Sequence, residues 1–130
     1  MPPSPVPSPR IAGLTAARAL FAGLREAAFE TVAVAYLDPN RRLLGMRQVV
    51  GGRDHVVLSI RTVAVDALAF GAVGVVMAHN HPSGDATPSL RDVAFTRALA
   101  AGLRTLDVAL LDHLVVAGDQ VTSLRAMGVV

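Results

Sequence analysis

Apolar and polar positions alternate along this chain with two periods, and the switches between them outline the elements. From Ile11 to Ala28 the apolar residues Ile11, Leu14, Ala17, Leu20, Phe21, Leu24 and Ala28 recur every three to four positions, predicting an amphipathic helix with Arg18 and Arg25 outward. Thr31 to Leu37 is rich in β-branched residues and predicts a strand, and Asp38-Pro39-Asn40 turns it into a second strand over Leu43 to Val50. Gly51-Gly52 ends this hairpin, a short extended piece runs through Val56-Val57-Leu58, and Thr62 to Phe70 fits a helix closed by Gly71. Val73 to His81 is apolar almost throughout, as a central strand covered on both faces would be. A helix from Ser89 to about Arg104, a strand over Val108 to Val116, a Gly118-Asp119 turn and a short strand at Val121-Thr122-Ser123 follow. Strands interleaved with helices predict an α/β fold, a mixed β-sheet flanked by helices, with no internal repeat.

Composition narrows the picture. At 130 residues and 52% hydrophobic content the chain holds one core, predicted as a single domain over residues 11–130. Prolines at 2, 3, 5, 7 and 9 deny the start regular hydrogen bonding, so residues 1–10 are expected to form a disordered Pro/Ser-rich arm. Cysteine is absent, so any metal must be held by nitrogen and oxygen donors. No apolar run approaches the length needed to span a bilayer, and the start lacks the regions of a secretory signal, so the expectation is a cytoplasmic protein without a membrane partner. The net charge of +2 comes from twelve arginines, no lysine and ten acids, of which only Glu26 and Glu30 are glutamate. The arginines are scattered and aromatics make up 4% of the chain, so no pattern of stacking rings supports nucleic-acid binding.

One segment carries chemistry. His79 and His81 stand at i and i+2 on a strand, so their imidazoles project from one face and Asn80 points the other way. The seven residues Pro82 to Pro88 then lead to Ser89-Leu90-Arg91-Asp92, where Ser89 opens a helix and Asp92 lies in its first turn. Two imidazole nitrogens and a carboxylate form a ligand set typical of catalytic zinc, which leaves a fourth tetrahedral position to water. Hydrolysis also needs a carboxylate base and a group to steady the oxyanion. Glu30, just before the first strand, is the stronger base candidate and Glu26, a turn earlier, the weaker; the Ser89 hydroxyl is the candidate for the oxyanion.

His79-x-His81, seven residues, then Ser89-x-x-Asp92 resembles the JAMM (MPN+) metallopeptidase motif. The fuller string His79-Asn80-His81-Pro82-Ser83-Gly84-Asp85 with Pro88-Ser89 resembles its RadC-like branch, and Leu111-Asp112-His113 is similar to a further motif of that branch. The resemblance spans roughly Phe29 to Ser123. It implies a JAMM/MPN, cytidine-deaminase-like sandwich, zinc as cofactor on His79, His81 and Asp92, Ser89 at the oxyanion and Glu30 as general base. The last placement rests on a glutamate opening a strand that ends in Leu-Asp, here Leu37-Asp38. The chain departs upstream, where a Gly-Thr and a His-Pro-Arg-Glu segment are usual: it reads Gly51-Gly52 and Ser59-Ile60-Arg61-Thr62, with only Arg61 agreeing in the second. That departure bears on substrate contacts rather than on metal ligands.

Several of these residues also have ordinary roles. Ser89-x-x-Asp92 reads as a near capping box, a role compatible with chemistry. Asp85 and Asp38 read as turn residues, Arg41-Arg42 as a solvated strand entry, His55 as an exposed loop residue, and His113 as a buried histidine satisfied by a carbonyl or carboxylate. The expected function is a zinc metallopeptidase or isopeptidase acting on a peptide or a ubiquitin-like conjugate, deubiquitinase-like in chemistry; the residues do not fix an oligomeric state, and a homodimer is an open option because short members of the family with apolar faces often self-associate. The alternative is a DNA-repair-associated factor in which the metal is structural.

Overall fold

A computed structural model describes residues 9–51 and 58–130. The first helix is shorter than its periodicity predicts. Helix α1 covers Leu14–Leu20, and a separate 3-10 turn at Ala22–Glu26 follows. Ile11 is drawn into extended backbone instead, its N–H donating to the Arg41 carbonyl at 2.7 Å, and Gly23 interrupts the later helical run. Ile11, Ala17, Phe21 and Leu24 still bury against the sheet, whereas Leu14 and Ala28 of the predicted stripe stay exposed.

Strands β1 (Thr31–Leu37) and β2 (Leu43–Val50) have the predicted bounds. Asp38 makes the turn: its carboxylate accepts from the Asn40 and Arg42 N–H groups at 2.7 and 2.9 Å, and Arg41 takes a positive φ of 65°. Pro9 and Arg10, expected within the mobile arm, instead pair with the hairpin, because the Pro9 carbonyl accepts from the Leu43 N–H and Arg10 bridges Arg42. Residues 1–8 of that arm, and Val56-Val57 and His55, lie outside the described residues. Helix α2 (Ile60–Phe70) begins two residues early because Ser59 caps it, accepting from the Thr62 N–H, and ends on Gly71 at a φ of 67°. Strand β3 (Gly74–Asn80), helix α3 (Leu90–Arg104) and strands β4 (Ala109–Ala117) and β5 (Gln120–Ser123) complete the described elements.

These residues form a mixed five-stranded sheet in the order β2-β1-β3-β4-β5, parallel only between β3 and β4. Side-chain alternation divides β1 between two cores: Val32, Val34 and Tyr36 pack with α2 and α3, while Ala33, Ala35 and Leu37 pack with α1 and the 3-10 turn. The outcome is the predicted α/β architecture, with helices on both faces of the sheet. Among the described residues no helix is long and apolar enough to cross a membrane.

Topology sets the location of the site. The crossover from β3 through α3 to β4 puts the N-terminus of α3 at the C-terminal end of β3, the end where open α/β sheets bind ligands. Strand β1 runs antiparallel to β3 with Val32 opposite His79, so the residues that enter β1 arrive at the same end.

Candidate metal centre

His79 ends the buried face of β3 that also carries Met77, and His81 follows it two residues later. Their Nε2 atoms lie 2.8 Å apart with ring centroids 4.7 Å apart. Asp92 reaches the same point from the first turn of α3, its Oδ2 at 3.5 Å from His79 Nε2 and 3.4 Å from His81 Nε2. Glu30 closes the group from the other strand: ligand atoms of Glu30, His79 and His81 all lie within 4.8 Å of one another. The structure therefore gathers all three predicted ligands and the predicted base around one imidazole pair. His79 is buried, while His81 and Asp92 keep some exposure toward solvent.

Local structure explains each placement. Ser89 caps α3 with both halves of a capping box: its hydroxyl accepts from the Asp92 N–H at 3.0 Å, and Asp92 Oδ2 accepts from the Ser89 N–H at 2.8 Å. The box fixes the Asp92 rotamer and leaves the hydroxyl proton of Ser89 free of this bond. Glu30 is held through Asn80, whose side chain leaves the opposite face of β3. Its Oδ1 accepts from the Thr31 N–H at 2.6 Å, and its Nδ2 donates to the Phe29 and Ala27 carbonyls at 3.0 and 3.2 Å. The backbone on both sides of Glu30 is thus pinned to the strand that carries the histidines. Asn80 was legible only as the residue facing away; its partners depend on the β1–β3 register.

The Leu111-Asp112-His113 motif has a divided role. Asp112 organises the C-terminal segment, accepting from Ser123 Oγ at 2.7 Å and from the Arg125 N–H at 3.1 Å. His113 points to the other side of β4, where its Nε2 lies 2.7 Å from His79 Nδ1 and its Nδ1 lies 2.6 Å from Thr96 Oγ1. Its partners are therefore a hydroxyl and a second imidazole, not the carbonyl or carboxylate expected from the sequence. Burial, with the neighbouring His79 charge, pushes the His113 pKa down to about 3, so the ring is neutral. Thr96 went unread, although a polar residue one turn after Asp92 on the buried side of a helix was its signal. Asp85 serves as a turn residue: its carboxylate accepts from the Thr87 N–H at 2.9 Å and its carbonyl faces His81 Nδ1 at 2.8 Å.

The donor set fits a divalent cation. A carbonyl only accepts, so His81 Nδ1 carries the proton toward Asp85, and in the neutral ring Nε2 presents a lone pair. That lone pair faces a carboxylate oxygen and a second imidazole nitrogen, with Glu30 alongside. Acceptors converging without a donor repel one another unless a cation stands among them, and imidazole with carboxylate is a donor set that suits divalent transition metals in a cysteine-free protein. Burial raises the Asp92 carboxyl pKa, but its interactions with the neighbouring His79 ring and with the Ser89 N–H more than offset this and hold it well below the usual carboxylate range. Asp92 is accordingly ionised and ready to ligate. A cavity of about 130 Å³ opens beside the centre, lined by Glu30, Val32, Leu58, His79, Arg91 and Phe95 among others.

Comparison with known proteins finds a family likeness. A family model, the RadC-like JAB domain, matches residues 13–129. A UPF0758 protein of Polaromonas sp. is 43% identical over 100 residues, covering 76% of this chain and 45% of its own length. UPF0758 proteins of Acidithiobacillus ferrooxidans and Cellvibrio japonicus are 40% and 42% identical over 110 residues, each covering 84% of this chain and 49% of their own length. The chain thus spans about half the length of the curated relatives it matches. With its two imidazoles and two carboxylates gathered at the end of β3 and this likeness over nearly its whole length, the chain belongs to the RadC-like JAB domain family.

Proposed function

We propose that this domain is a zinc-dependent hydrolase of peptide or isopeptide bonds. The observation that carries the reading is the His79–His81 pair, Nε2 to Nε2 at 2.8 Å, with Asp92 Oδ2 at 3.5 and 3.4 Å from these two atoms and a Glu30 ligand atom within 4.8 Å of the pair. His79, His81 and Asp92 would hold zinc, which when bound would supply an activated water and polarise the scissile carbonyl. Glu30 takes the proton from the attacking water and returns it to the leaving amine. Ser89 keeps Asp92 in place through the capping box, and its hydroxyl proton is available to the oxyanion that develops. The cavity beside Glu30 seats the chain next to the scissile bond, and Arg91 at its rim offers a fork to an acidic group of the substrate. The substrate is a peptide, or a ubiquitin-like tail joined to lysine, extended enough to lie along the sheet.

Metal analysis and cleavage assays on linked ubiquitin-like and linear peptide substrates test this reading. Wild type is expected to hold zinc in equimolar amount, and His79→Ala and Asp92→Ala to lose it. Glu30→Gln keeps the zinc and loses cleavage by roughly 10²–10⁴-fold. Zinc retained in Asp92→Ala, or cleavage undiminished in Glu30→Gln, would remove the assignment. Salt-dependent duplex binding indifferent to Asp92→Ala would point instead to a DNA-associated factor with a structural metal.

A further inference from the structure

Two buried residues next to the centre are not ligands in the arrangement above, yet their hydrogen bonds determine what one ligand can do. Thr96 lies one turn after Asp92 on α3, and His113 lies on β4 opposite Met77 of β3; both are almost wholly buried. Thr96 has a single hydroxyl proton, and it goes to the Asp92 carbonyl at 2.6 Å, an oxygen that has none to return. The 2.6 Å contact between Thr96 Oγ1 and His113 Nδ1 must then have the nitrogen as donor. A neutral His113 protonated at Nδ1 bears a lone pair at Nε2, and that atom faces His79 Nδ1 at 2.7 Å. His79 must donate there. Its other nitrogen, Nε2, is left bare, facing His81 Nε2 and Asp92 Oδ2.

We propose that Thr96 and His113 are positioning residues that lock His79 in its Nδ1–H form and so present the Nε2 lone pair to a divalent cation. The proposal rests on the metal-centre reading and adds to it a direction of proton order. The chain of bonds begins at the backbone of one ligand, Asp92, and ends at the ring of another, His79, so it ties α3, β4 and β3 into one unit at the site. Released from His113, the His79 ring is free to rotate or to take the other tautomer, whose Nε2 carries a proton and cannot bind metal. Partners that orient a ligating histidine through its second nitrogen typically change metal affinity by about 10–100-fold when removed.

The tautomer is read in the metal-free protein, in mildly alkaline buffer, by long-range ¹H–¹⁵N correlation of ¹⁵N-labelled histidines. Zinc affinity is read by competition with a chromophoric chelator. His79 is expected to be protonated at Nδ1 in wild type. Thr96→Val, nearly isosteric but without the hydroxyl, is expected to weaken zinc binding by about 10–100-fold, and His113→Leu to do the same. Thr96→Ser restores the hydroxyl and is expected to bind as wild type does. His113→Gln, whose amide oxygen accepts from His79 while its NH₂ donates to Thr96, is expected to recover most of the loss. A wild-type His79 protonated at Nε2, or a folded Thr96→Val that binds zinc as tightly as wild type, overturns the proposal. Wild-type protein that takes up no zinc sinks the metal-centre reading itself, and the purpose assigned to the relay falls with it. A zinc-binding protein with the wrong His79 tautomer sinks the relay alone.

Discussion

Asn80 stands between two imidazoles that face the centre, so its own side chain has to leave by the opposite face of β3, and there it meets the segment entering β1. Its carboxamide spends every short contact on backbone groups flanking Glu30, which makes it a support for that residue's position. Replacing Asn80 by Ala leaves the Thr31 N–H and the Phe29 carbonyl without that partner. Unfilled buried groups of this kind cost about 1–3 kcal/mol, a loss that denaturant titration would register. Zinc content is expected to survive in Asn80→Ala while cleavage falls, because the ligands are built on β3 and α3 and only Glu30 depends on the clamp. A variant as stable and as active as wild type would contradict this division. At this scale the proximity of His79, His81 and Asp92, the proposed ligands, was legible from spacing, since a strand shows i and i+2 on one side and a helix N-terminus accommodates a carboxylate at its third position. The contacts of Asn80 and Thr96 were not, and of His113 only the burial was, because each meets partners distant in sequence.

Between elements, the main polar tie outside the centre is Arg47 of β2, Asp66 of α2 and Tyr36 of β1. Asp66 accepts from the Tyr36 hydroxyl at 2.8 Å and from Arg47 through both of its oxygens. Hydrogen bonding to Arg47, with a smaller share from Tyr36, outweighs burial and holds the Asp66 carboxyl below its ordinary value. Burial first, then Asp66, pushes the Tyr36 phenol far up, so it stays protonated and donates. A carboxyl whose pKa is depressed in the folded state adds stability above its unfolded value of about 3.9 and loses it as pH falls through the lower folded value. The melting-temperature gap between wild type and Asp66→Asn is therefore expected to be widest near neutral pH and to narrow on acidification below about pH 4. A gap that stays constant from neutral to acid would show that the ionised carboxylate contributes nothing. The elements themselves were mostly predictable: β1 and β2 from β-branched content, α2 from its glycine stop, α3 from its cap. The first helix was not, because Ile11 satisfies its N–H on the hairpin rather than in a helix, a choice only available once β2 exists.

For the molecule as a whole, zinc held by His79 and His81 at the end of β3 and by Asp92 of α3 would tie these two elements together, so it is expected to stabilise the fold as well as equip it. At a free concentration a hundredfold above its dissociation constant, a ligand specific for the native state adds about 2.7 kcal/mol, or roughly 10 °C in melting temperature for a domain of this size. Chelator should reverse the gain, and His79→Ala should show none; an equal gain in that variant would place the ion elsewhere. The amino-acid order by itself determined the alternation of strands and helices, the pairing of two imidazoles on one strand face and the carboxylate in the first helical turn eleven residues after His81, because these follow from local periodicity and spacing. What only the tertiary structure decided is which distant groups complete the site. The antiparallel register of β1 on β3 brings Glu30 to the histidines, and the parallel crossover through α3 sets His113 and Thr96 behind His79. Strand register and crossover arise from the packing of two cores on opposite faces of one sheet, a property of the assembled chain that no short stretch of sequence contains.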